Sequence, residues 1–116
     1  MVRIENDKGA ISITSDVFTN LAGDAATRCF GVKGMAGKSK SDIAVLLRRE
    51  SMSKGVSVSF PEEGGVNIEL HIFVEHGVNI PAVARSIIGE VSYKVSEATG
   101  VRVNRVDVFV DSMVRD

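Results

Sequence analysis

The chain has 116 residues, 44% of them hydrophobic and 25% charged, with a formal net charge of −1. That length serves one domain core and is too short for two, and the balance is that of an ordinary globular domain. No run approaches the roughly 18 consecutive apolar residues of a membrane-spanning helix, so direct membrane insertion is not expected.

Residues 1–8 are charged and no apolar run follows them, so they do not read as a signal peptide and are expected to be disordered or loosely held. A single domain is expected over 9–111, with 112–116 as a tail. Gly9 to Thr14 reads as a short strand, and Ser15-Asp16 as the cap of a helix whose apolar face carries Val17, Phe18, Leu21, Ala25 and Cys29. That helix should end near Phe30-Gly31. A glycine-rich stretch follows, and Ser41-Asp42 can cap a second helix with Ile43, Leu46 and Leu47 inward and Arg48-Arg49 in its last turn.

Val56, Val58 and Phe60 alternate with serines as in a half-buried strand, and Pro61 to Gly65 reads as a turn. Val66, Ile68, Leu70, Ile72 and Val74 then alternate with Asn67, Glu69, His71 and Phe73, which makes a hairpin with the preceding strand. Pro81 opens the longest helix, striped by Val83, Ala84, Ile87, Ile88, Val91, Val95 and Ala98 and closed by Gly100. Val101 and Val103 begin a last strand that Val106, Val108 and Val110 continue. Its parity slips by one across Asn104-Arg105, which predicts a bulge or bend.

The predicted order is β-α-α-β-β-α-β. It implies an α+β fold of two layers, a mainly antiparallel sheet with helices on one face. With 5% aromatic residues and no Trp, the core must be aliphatic. Phe73 and Phe109 fall on the polar sheet face, where they are candidates for self-association. Arg28 to Lys54 has seven Lys/Arg against Asp42 and Glu50, a charge of +5, whereas Gly55 to Pro81 has four Glu and no Lys or Arg. Such neighbouring faces can steer a polyanion or draw copies of the chain together.

Phe30-Gly31-Val32-Lys33-Gly34-Met35-Ala36-Gly37-Lys38-Ser39 is the most motif-like stretch. As a phosphate loop, Gly31 to Ser39 is one residue too long and follows a helix instead of a strand. As a Gly-x-x-Gly clamp of the KH type, Gly31, Lys33, Gly34, Lys38 and Lys40 are the candidate contacts for single-stranded nucleic acid, since the segment is basic and lies between two predicted helices. His71 and His76 have no Cys, Asp or Glu at zinc spacing, and the serines have no His placed to activate them. No catalytic residue, metal site, cofactor or small-molecule substrate is expected. The lone Cys29 has no partner for an internal disulfide, which points to a reducing, cytoplasmic compartment.

Several short segments have a familiar order and spacing. They are Gly9-Ala10-Ile11-Ser12-Ile13, Phe30-Gly31-Val32-Lys33-Gly34-Met35, Glu75-His76-Gly77-Val78-Asn79-Ile80-Pro81 with Val83-Ala84, Thr99-Gly100-Val101, and the valines 106, 108 and 110. Together they resemble the bacterial alkaline-shock-protein family of general-stress and envelope-stress-response proteins. The chain departs from the family pattern at Lys38-Ser39-Lys40-Ser41, where the family is richer in glycine and less basic. The resemblance implies a small, abundant, non-enzymatic cytoplasmic protein of Gram-positive-type bacteria with no catalytic residues to transfer. It also implies self-association or attachment to the inner face of the membrane through a separate membrane-anchoring protein partner.

Overall fold

The computed structural model describes residues 1–35 and 55–115. The helix expected after Ser41-Asp42 lies outside the described residues. Within them the fold is α+β, a two-layer arrangement built around one strand.

That strand, the fifth in chain order (β5), runs from Val66 to Glu75. Its alternate residues Val66, Ile68, Leu70, Ile72 and Val74 are buried on one face. Branched side chains with few rotamers suit this pleated, packed surface. Both edges of β5 are used. β4 (Val56–Ser59) pairs antiparallel with Asn67 to Leu70, and β3 (Val32–Met35) pairs antiparallel with Ile72 to Val74. β3 and β4 therefore share one edge. Along the other, β6 (Val103–Val114) runs parallel to β5 from Val66 to Glu75.

A parallel neighbour requires a crossover, which α2 (Ile80–Thr99) supplies. Asn79 caps it by accepting from the Ala82 N–H at 3.0 Å. Pro81 sits in its first turn, and Gly100, with φ of 72°, closes it through an N–H bond to Ser96 O at 2.8 Å. Val83, Ile87, Val91 and Val95, four apart, are buried against the sheet. α1 (Ser15–Thr27) adds Phe18, Ala22, Ala25 and Ala26 to the same core, and Phe18 meets Phe60 edge-on at 5.4 Å.

The bulge expected at Asn104 is present: the register passes from Val66↔Val103 to Asn67↔Arg105, leaving Asn104 extra. Its side chain donates to Gly64 O at 2.9 Å and accepts from Arg102 Nε at 2.8 Å. The turn closes on it so tightly that a Cβ on Gly65, where φ is 78°, would lie 2.5 Å from the Asn104 side chain.

Several details differ from expectation. Thr14, not Ser15, occupies the cap position of α1 and makes no side-chain cap bond. The helix stops at Thr27, before Phe30-Gly31, and its buried stripe is turned toward Ala22 and Ala26, which leaves Val17 exposed. Residues 1–8, expected to be loosely held, contain β1 (Val2–Asn6), paired antiparallel with β2 (Gly9–Ile13) as a separate two-stranded sheet. Most of its side chains are exposed, and Val2 and Ile13 tie it to the core. At the other end, Ser112 to Val114, expected as tail, continue β6.

Leu70 lies fully buried at the middle of β5. Leu70→Ala should lower the unfolding free energy by about 2–5 kcal/mol, the range for a cavity left in a core. Urea titration followed by circular dichroism measures it.

Candidate interaction site

Two of the motif-like segments meet in space. Gly31 O accepts the Glu75 N–H at 2.7 Å, which joins the end of the α1–β3 turn to the end of β5. Gly31 has φ of 90°, and a Cβ there would lie 3.0 Å from Val83 Cγ2 and 3.3 Å from Val78 Cγ1. Glycine is thus required twice, for its backbone angle and for the close approach of α2. The tight turn throws the preceding side chain outward, so Phe30 is 83% exposed. It borders an open groove of about 570 Å³ lined also by Glu75, His76, Val78, Ala82 and Ser86.

Behind Phe30, Cys29 is half-buried with its Sγ 3.4 Å from Ala25 O. Burial raises the thiol pKa, the Glu90 carboxylate raises it further, and a hydrogen bond with Ser86 opposes them. A thiol held protonated in this way is a poor nucleophile. Across the groove, His76 Nε2 faces the Arg115 guanidinium at 3.4 Å.

On the polar sheet face, His71 lies between two carboxylates, with Nε2 2.9 Å from Glu69 Oε1 and Nδ1 3.2 Å from Asp111 Oδ2. Phe109 stacks on the imidazole at 4.8 Å and 9°. Asp111 reaches the ring because a second register shift, from Ile72↔Val110 to Phe73↔Ser112, makes it the extra residue of β6. With a carboxylate from each strand beside its ring, His71 ties β5 to β6.

The structure separates the residues singled out from sequence. Gly31, Lys33 and Gly34 do not form a loop between helices: Val32 to Met35 is a strand whose Gly34 sits opposite Phe73 of β5. A strand in a ladder has no clamp to close on a nucleotide backbone, and Lys38 and Lys40 lie outside the described residues. Phe73, expected as an exposed contact residue, is fully buried, so it presents no surface to a partner. Phe109 is 46% exposed. Phe30 is an exposed aromatic that sequence reasoning misses. Its only signal is the glycine after it, which by itself reads as the end of a helix.

Among the described residues, no group of three or more His, Cys, Asp or Glu could hold a metal ion, and no helix is long and apolar enough to cross a membrane.

A model of the alkaline shock protein family, described by a cell envelope-related function, matches residues 3–115. The chain is 33% identical over 115 residues to the uncharacterized protein YloU of Bacillus subtilis strain 168, covering 97% of this chain and 94% of that one. It is 32% identical over 114 residues to the uncharacterized protein Spy1614 of Streptococcus pyogenes serotype M6, covering 97% and 93%. The uncharacterized protein YqhY of Bacillus subtilis is 26% identical over 102 residues, covering 88% and 75%. No solved structure matches.

Gly31→Val should destabilise the fold by at least about 1 kcal/mol through its positive φ and the approach of Val83, as a shift in urea midpoint would show. The Cys29 thiol has a definite pH signature. Because its folded pKa is raised, its contribution to stability is complete below the unfolded thiol value, about 8.5, and is lost as pH rises from there through the folded value. Urea midpoints should fall across that alkaline window in the wild type and fall less in Cys29→Ala.

Proposed function

Since the chain belongs to the alkaline shock protein family, whose function is related to the cell envelope, we propose that it is a non-enzymatic interaction protein. It acts in envelope homeostasis and the stress response through contacts with copies of itself and with a membrane-anchored protein partner. The observation that supports this most is Phe30. A large aromatic side chain is held out at 83% exposure beside a turn whose positive φ and close neighbours favour glycine, next to an apolar groove whose neighbouring thiol is kept protonated. Exposed aromatics seated by rigid backbone are the kind of residue that dominates protein–protein contacts. No observation favours a nucleic-acid role over this one.

The protein would then be cytoplasmic and peripheral, held at the inner face of the membrane by its partner and not by its own chain. Fractionation of the native cell tests this. The wild type should sediment with membranes and Phe30→Ser should move to the soluble fraction, while the purified protein alone should not bind vesicles of the cell's own lipids. If wild type and variant distribute alike, Phe30 is not the contact. Direct vesicle binding by the purified chain would remove the need for a partner.

A further inference from the structure

We infer that β6 is a self-pairing edge: two copies of the chain join antiparallel along β6, about a two-fold axis at Val108, to make one continuous sheet. This rests on the self-association proposed above and specifies its surface.

Among the described residues β6 is paired on one side only, to β5, over its full length. An edge of this length offers a row of backbone N–H and C=O groups to another strand, and natural sheets usually blunt such edges. Here the bulges at Asn104 and Asp111 bracket a regular stretch, Arg105 to Val110. Arg105, Asp107, Phe109 and Asp111 share the open face with His71, while Val106, Val108 and Val110 pack with the helix-side core.

The sequence of this stretch is self-complementary in one register. A two-fold axis perpendicular to the sheet at Val108 keeps the helices of both copies on the same face and sets Arg105 opposite the second copy's Asp111, twice. It also sets Val106 opposite Val110, and Val108 opposite itself. Val108 and Val110 are only partly covered in one copy, so pairing would complete their burial. Moving the axis one residue back sets Asp107 against Asp107, and one residue forward sets Asp107 against Asp111. Like charges directly opposite across strands are unfavourable, and opposite charges favourable. The charge pattern therefore selects the Val108 register over its neighbours.

The test combines light scattering with directed cross-linking in a Cys29→Ala background. Directly opposed residues bring Cβ atoms within reach of a disulfide. Val108→Cys should therefore cross-link under mild oxidation to a covalent dimer, and Arg105→Cys, which faces Asp111, should not. Arg105→Glu should weaken the dimer roughly five- to thirtyfold, from two like-charge pairs per interface. Adding Asp111→Arg should restore it, although that change also removes a His71 partner, so the melting temperature of each variant is measured alongside. An oligomer that is indifferent to the charge swap, and in which Val108→Cys does not cross-link, overturns the β6 interface while leaving self-association standing. A strict monomer at high concentration overturns both.

Discussion

The fold depends on β5 having a use for each of its surfaces. One face is an unbroken aliphatic row from Val66 to Val74, and it must be covered. Covering it takes both helices, because α2 lays down Val83, Ile87, Val91 and Val95 while α1 adds Phe18 and a set of alanines. Its two edges are filled by three strands: β3 and β4 share one side and β6 takes the other. A strand buried on one face and paired on both sides has little freedom of register, since a one-residue slip would turn its apolar row outward.

The rest of the molecule is arranged by that constraint. The parallel pairing of β6 demands the α2 crossover, and the crossover brings Val78 and Val83 onto Gly31. The crowding at Gly31 then sets the turn that exposes Phe30. On the opposite face, β6 adjusts to β5 through two extra residues. Asn104 closes the Pro61–Gly65 turn, and Asp111 holds His71. The surfaces proposed for interaction, Phe30 at one corner and the outer edge of β6, are thus consequences of how the core is closed and not separate additions to it.

Much of the fold was legible in the sequence because the signals were strong and local. The alternation of β5, the Pro81 start and Gly100 end of α2, and the parity slip at Asn104 each have a single mechanism behind them and appear in the structure. What was not legible depended on long-range pairing. Gly31 to Met35 carries the marks of a loop, and only the docking of β5 makes Val32 to Met35 a strand. Phe73 sits at a polar-face position by alternation, yet it is buried; a period of two assigns a face but not what covers it. Val2 and Ile4 alternate with Arg3 and Glu5, a signal for β1 that the charge of the segment concealed. The exposure of Phe30 could not be read, because it follows from a steric meeting between residues about fifty positions apart.

At the centre of the molecule, both edges of β5 are closed, while among the described residues β6 has one unpaired edge, where the second copy is proposed to join. Amide hydrogen exchange, followed by mass spectrometry at low and high protein concentration, tests this directly. β5 should be the slowest-exchanging segment at both concentrations, and exchange within Arg105 to Val110 should slow as concentration rises. Exchange in that stretch that does not change with concentration, in a protein that nevertheless assembles, would contradict it.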